Sequence, residues 1–155
     1  MALRKTQLAQ LPEPTDDEKQ LSAELVRSIK RQLALDEGMT FAQFMSAALY
    51  TPALGYYANA GHKFGAQGDF TTAPELSPLF GSCVAKQVAE VLAVLTQGCV
   101  LELGAGSGAL AESMLLAFAQ WNILPERYFI LEPSAALQQR QRENLAQGLP
   151  SELFE

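Results

Sequence analysis

Histidine and cysteine are nearly missing from this chain: its 155 residues hold one histidine, His62, and two cysteines, Cys83 and Cys99. The cysteines are far apart and form no CxxC pair. A structural zinc site needs four well-spaced nitrogen or sulfur ligands, so no metal site is expected. Both cysteines lie in apolar runs and read as small buried hydrophobes. With so few cysteines and no secretory signal at the N-terminus, a reducing compartment is expected, by default the cytoplasm. Long apolar runs are also lacking. No stretch approaches the ~20 apolar residues of a membrane span, so none is expected. Positive charge is scarce: 11 Lys and Arg face 17 Asp and Glu, for a net charge of -6. The basic residues are scattered, which excludes the charged face of a nucleic-acid-tracking protein. An acidic surface leaves room for a basic protein partner. Repeats and low-complexity tracts are absent too. The rest is an ordinary globular composition, 48% hydrophobic and 18% charged, sufficient for one domain-sized core.

Residues 1–14 read as a flexible arm in which Pro12 and Pro14 prevent helix. Thr15 and Asp16 are plausible caps for an amphipathic helix with Leu21, Leu25, Ile29 and Leu33 on one face, stopping at Gly38. Thr40, with Gln43 in capping-box position, opens a second helix whose apolar face includes Phe41, Phe44, Met45 and Leu49. From Tyr50 to Glu75 periodicity vanishes. This run holds four glycines and two prolines and exceeds the ~12–15 residues usual for a structureless connection, which predicts a lid-like loop. Ser77 and Pro78 then start a helix carrying Phe80, Val84, Val88, Val91 and Leu95 to about Gln97. Being apolar on most sides, it is expected to lie buried against a sheet.

The period then changes. Val100–Leu103 reads as a buried parallel strand, Ser107 to about Trp121 as helix, Tyr128–Leu131 as a second strand, and Ser134 as the cap of a helix to about Gln147. This βαβα unit opens a doubly wound α/β domain. The division expected is thus an arm at 1–14, a helical region at 15–97 with its loop at 50–75, and an incomplete α/β domain at 98–155. Such a domain needs about six strands and two are visible, so a truncated chain is expected.

Gly104, Gly106 and Gly108, with Ala105 between the first two, join the first strand to its helix. Glycine allows close approach of a ligand, and the helix N-terminus offers free N–H groups. GAGSGA also satisfies the dinucleotide fingerprint, so an NAD-linked oxidoreductase is the rival reading. Two features oppose it. Glu102, two residues before Gly104, suits an ammonium and would repel a pyrophosphate. The fingerprint also usually begins its domain, and here about a hundred residues precede it. Glu132 ends the second strand, where a carboxylate can accept from both ribose hydroxyls of a nucleoside. This order of acid, glycine loop and second acid resembles the class I S-adenosylmethionine methyltransferase pattern. By that resemblance the fold is the N-terminal half of a Rossmann-like methyltransferase domain.

Gly68–Gly81, GDFTTAPELSPLFG, is more distinctive than the glycine loop. With LGYY at 54–57 it resembles the MidA-like family, to which the mitochondrial complex I assembly arginine methyltransferase is related. The resemblance covers roughly residues 20–147 and implies S-adenosylmethionine as cofactor and a protein substrate. For the mitochondrial relative that substrate is arginine on a respiratory complex I subunit. A guanidinium would want a carboxylate partner, for which Asp69 and Glu75 are the candidates. Thr71 and Thr72 are candidates for lining the cofactor pocket, alongside Glu102, Gly104, Ala105, Gly106, Gly108 and Glu132. Asp69 and the threonines could equally cap the helix near Ser77. Tyr56 and Tyr57 could close over a sulfonium, though loop packing is the plainer role; His62 reads as an exposed loop residue. A non-catalytic assembly factor that keeps the fold is a further alternative. The truncated chain by itself is expected to be inactive and to bind the cofactor weakly.

Overall fold

A computed structural model describes residues 13–35, 38–59, 68–69, 71–95 and 97–154. His62 and residues 1–12 lie outside them. The chain divides into two compact units, at Met1–Tyr56 and Tyr57–Glu155.

In the first unit, α1 spans Asp16–Leu35 and α2 spans Phe41–Tyr50. Thr15 caps α1: its Oγ1 accepts from Glu18 N–H, and Glu18 returns a carboxylate to Thr15 N–H at 2.7 Å. Thr40 and Gln43 form the same reciprocal box on α2, with Gln43 Oε1 accepting from Thr40 N–H at 2.7 Å. Each box satisfies two otherwise orphaned donors. The apolar face expected on α2 is not covered: Phe41 is 76% exposed, and Phe44 and Met45 are exposed too. Capping chemistry is local and survives without tertiary cover, whereas burial of a stripe requires a partner surface.

In the second unit the order is α3 (Ala73–Leu76), α4 (Pro78–Leu92), β1 (Cys99–Leu103), α5 (Ala109–Gln120), β2 (Arg127–Leu131), α6 (Ala135–Gly148) and a 3₁₀ turn (Ser151–Leu153). β1 and β2 pair in parallel, Cys99 opposite Arg127 through Leu103 opposite Leu131. A loop was expected over 50–75, yet α3 forms at its end. Its proline at the second helical position lacks an N–H that would have gone unbonded anyway.

Ser77 caps α4 through Leu79 N–H, with Pro78 at its first position as expected. α4 ends at Leu92, five residues before the expected stop, and its buried face is Gly81, Ala85 and Ala89. That small-residue face packs on α5, not flat on the sheet; Val91 and Leu95 are exposed. One core cluster unites Ala85 and Ala89 with Met114, Ala117 and Phe118, with Val100 and Tyr128 packed on it from the strands; a second unites Ala111, Leu115, Leu145 and Leu149, with Tyr128 and Ile130 packed on it. Small residues permit the close helix crossing that bulkier apolar ones would prevent.

The strands are not buried. Residues alternate between half-buried and exposed, with Leu101, Leu103, Phe129 and Leu131 on an uncovered face. The other face, with Val100, Tyr128 and Ile130, packs mainly against α5, so the apolar run of β1 reflects a two-sided requirement met on one side here. The cysteines depart from expectation for the same reason. Cys99 is exposed at the start of β1, Cys83 is exposed on α4 beside its buried stripe, and both are free thiols.

Candidate cofactor site

Because β1 and β2 run parallel and in register, their C-terminal ends lie side by side. The two following loops are therefore neighbours, and Gly104 N–H donates to Leu131 O at 2.9 Å. The crevice beyond the carboxyl ends of parallel strands is where α/β sheets bind ligands.

Gly104, Gly106 and Gly108 all have positive φ, at 69°, 58° and 89°. A residue with a Cβ pays roughly 1–2 kcal/mol for that conformation. The space around them differs. A Cβ on Gly104 would meet no protein atom within 4 Å, so this residue faces open space. A Cβ on Gly108 would stand 3.4 Å from Leu145 of α6. Close approach to a ligand therefore applies to the start of the loop, while Gly108 serves helix packing.

Opposite the loop stands α3. Glu75 accepts a hydrogen bond from Ser107 Oγ, which ties the GDFTTAPE segment to the glycine turn. Between them lies a cleft of about 270 Å³, with Thr72, Pro74 and Glu75 on one wall and Glu102, Gly104 and Ser107 on the other. Ala105 and Gly106 also line it. A larger cavity, about 640 Å³, runs along β2 between α5 and α6, but the glycine loop takes no part in it. The smaller cleft is where the polar groups converge, and it is the candidate site.

Glu102 is half-buried and accepts from Tyr128 Oη at 2.7 Å. Burial raises its carboxyl above the usual range, and the tyrosine hydrogen bond partly opposes the rise. Tyr128 is pushed up in turn, by burial and by the neighbouring Glu102. A buried carboxylate of this kind favours a cationic ligand group, whose charge offsets the desolvation.

Glu132 is 7% exposed and is not the solvated carboxylate that a strand end could have presented. Its Oε1 accepts from Ser134 N–H at 2.9 Å, and its Oε2 lies 3.5 Å from the Gln141 amide nitrogen. It sits on the loop after β2 and does not line the cleft with Glu102. Thr71 is exposed, as is Asp69, and neither lines the cleft. Tyr56 and Tyr57 are half-buried, and the Tyr57 carbonyl accepts from Ser134 Oγ at 2.5 Å. Ser134 also caps α6 through Leu137 N–H, as its position predicted. Among the described residues no group of three His, Cys, Asp or Glu side chains could hold a metal ion, and no helix is long and apolar enough to cross a membrane.

Ser107, Tyr128 and Gln141 were not singled out as site residues. Ser107 stood inside the glycine motif and could have been found there. Tyr128 read only as a strand residue, and Gln141 as one polar residue among many on a polar helix.

A family profile described as "Putative S-adenosyl-L-methionine-dependent methyltransferase" matches residues 83–153. The chain is 34% identical over 113 residues to the Caenorhabditis elegans "Protein arginine methyltransferase NDUFAF7 homolog, mitochondrial", covering 69% of this chain and 26% of that protein. With the Danio rerio mitochondrial protein arginine methyltransferase NDUFAF7 it shares 31% identity over 105 residues, 64% of this chain and 24% of that one. The chain thus spans about a quarter of the length of these curated relatives. Among solved structures, it matches a Burkholderia thailandensis crystal structure of a "likely methyl transferase" bound to S-adenosyl-homocysteine. The TM-score is 0.81 and the identity 38%, over 91% of this chain and 38% of that one. The glycine loop is therefore not a dinucleotide fingerprint in this setting. Its partner acids, its GDFTTAPE wall and these likenesses agree in supporting a MidA-like S-adenosylmethionine-dependent methyltransferase.

Proposed function

We propose that this chain forms the cofactor-holding part of an enzyme that methylates protein, with arginine side chains as acceptors. The observation that carries this reading is the Ser107–Glu75 contact, which closes the GDFTTAPE segment over the glycine loop. The residues fit the cofactor: the cleft has open space before Gly104 and a desolvated carboxylate at Glu102. In this reading Glu102 takes the amino-acid ammonium, and Gly104, Ala105 and Gly106 supply a side-chain-free wall. Glu132, on the adjacent loop, takes the ribose hydroxyls by exchanging its present partners. Thr72 lines the cleft from the α3 side. The exposed Thr71 and the packing residue Gly108 have weaker claims to contact.

When bound, S-adenosylmethionine supplies an electrophilic methyl group on a sulfonium. Transfer is an in-line displacement, so the protein's contribution is chiefly positioning. A guanidinium nitrogen that gains a methyl group must release a proton, and a carboxylate beside it both orients it and favours that loss. Glu75 is engaged with Ser107, which supports a role in the loop. Glu75, which lines the cleft, and Asp69, exposed on the same segment, are both candidates for pairing with a substrate guanidinium. Arginine as acceptor is supported by the names of the relatives, and a respiratory complex I subunit by the family resemblance. The cytoplasm is proposed as the compartment from the sequence and from two exposed free thiols, which suit a reducing environment.

The test uses the complete polypeptide containing these residues, with methyl-labelled S-adenosylmethionine and cell-extract protein. Label recovered as methylarginine after acid hydrolysis, and lost in Glu132→Ala, is the expected result. Label on another residue type would overturn the arginine assignment. Binding of S-adenosyl-homocysteine without any transfer would favour an assembly factor that keeps the fold alone.

A further inference from the structure

Helix α6 carries three amide side chains spaced three apart, Gln138, Gln141 and Asn144, and each donates to a carbonyl of a loop at the candidate site. Gln138 reaches Glu132 O at 2.6 Å, Gln141 reaches Gly106 O at 3.0 Å, and Asn144 reaches Ser107 O at 3.0 Å. Residues three apart share a helix face, so one face of α6 grips both loops. Gln141 differs from its neighbours in two ways. It is 4% exposed, and its amide nitrogen bonds to both loops at once, to Gly106 O and to Glu132 Oε2 at 3.5 Å.

We propose that Gln141 is a positioning residue for the cofactor, a strut that sets the glycine loop and the Glu132 carboxylate in one fixed relation. A primary amide suits the task because one nitrogen carries two hydrogens, one for each acceptor. A carboxylate at this position could donate to neither. The Gly106 contact has a further effect through the backbone. In a planar trans peptide the carbonyl and the next N–H point in opposite directions. Holding Gly106 O against α6 therefore turns Ser107 N–H away from α6, and holding Ser107 O through Asn144 sets the following peptide as well. Gly108 N–H is already spent on Ala105 O at 2.8 Å, so the donor that this grip aims before any ligand arrives is Ser107 N–H. Such pre-organisation removes an ordering cost from binding. Glu132 is prepared similarly: Ser134 N–H holds one oxygen, and the longer Gln141 contact holds the other more loosely, leaving it the easier to exchange for a hydroxyl.

The inference rests on the cofactor reading of the cleft, and the experiment separates the two. Gln141→Met keeps length and approximate volume and removes both donors. In the complete polypeptide, S-adenosyl-homocysteine binding is measured by calorimetry well below the melting temperature of each variant. Amide exchange is followed in peptides spanning 104–108. The expected result is a Kd raised about five- to ten-fold, consistent with loss of one buried hydrogen bond and weakening of another, with faster exchange in 104–108. A Kd within two-fold of the parent, whatever the change in melting temperature, would show that Gln141 is only a packing residue and overturn the proposal. If the parent itself binds no S-adenosyl-homocysteine, the cofactor reading fails and the proposal with it. Should Gln141→Met not fold, Gln141→Asn keeps the amide but shortens its reach, and the same two-fold criterion applies.

Discussion

Replacing Gly81 by alanine tests whether close helix packing or local helix preference controls the second unit. Gly81 is buried where α4 crosses α5, and a Cβ built on it stands 2.7 Å from Ser113 Cβ and closer still to its hydroxyl. Real Cβ atoms do not approach so near, so the helices must separate or Ser113 must move. Ser113 has little freedom, being 8% exposed with Oγ donating to Ala109 O at 2.8 Å and Leu110 O at 3.1 Å. Overpacking costs typically 1–3 kcal/mol, and disturbing the hydroxyl's hydrogen bonds adds about 1 kcal/mol. Against this, alanine is favoured over glycine in a helix interior by about 1 kcal/mol. Gly81→Ala should therefore destabilise by roughly 1–3 kcal/mol net, from those same terms. The assay is urea unfolding followed by circular dichroism, run as a double-mutant cycle with Ser113→Gly. Ser113→Gly clears both clashing atoms, so the new methyl group can occupy the vacated space. The pair should couple favourably by about 0.5–3 kcal/mol, the range for side chains in contact. Equal or greater stability for Gly81→Ala, or an additive cycle, would refute the crossing geometry.

Two further substitutions probe the site. The Glu102 carboxyl is raised by burial, so the folded state binds its proton more tightly than the unfolded chain, whose group titrates near the usual 4.5. Its ionisation then costs stability progressively as pH rises above that value. Glu102→Gln should gain stability relative to the parent as pH rises above 4.5 while losing affinity for S-adenosyl-homocysteine; a stability difference independent of pH, from parallel urea titrations, would contradict the assignment. Ser107→Ala removes the hydroxyl that joins the glycine loop to Glu75. Peptides covering 73–76 should exchange amide hydrogen several-fold faster, as expected when a segment loses a hydrogen bond of about 1 kcal/mol; unchanged exchange would mean that the contact does not hold α3.

Local rules were reliable where the physics is local. Thr15, Thr40, Ser77 and Ser134 each cap the helix they precede, because a side-chain oxygen needs only a nearby orphaned N–H. Period and composition placed β1 and β2 within one residue of their observed starts. Burial followed less well. Cys83 and Cys99 read as interior and are exposed, as are Leu101 and Leu103 in the β1 apolar run and Phe41, Phe44 and Met45 on the apolar face of α2. Hydrophobicity states a preference, and only a facing surface satisfies it. The apolar stripe expected here ran through Phe80, Val84, Val88, Val91 and Leu95; Val84 and Val88 do pack on the core, yet the fully buried face of α4 is Gly81, Ala85 and Ala89, since the depth of a helix crossing is set by its smallest residues.

The site divides along the same line. Sequence alone determined the glycine loop, its two acids and the GDFTTAPE segment, since positive φ requires glycine and strand ends occur where the pattern breaks. Tertiary structure decided which of these residues meet. Glu75 stands against Ser107 across 32 residues of chain, and Gln141 spans two loops from the middle of a polar helix. Tyr128, from the neighbouring strand, donates to Glu102 and partly offsets the rise that burial imposes on its carboxyl. Such contacts depend on the parallel register of two strands and on which face a helix turns inward, and residue spacing along one segment encodes neither.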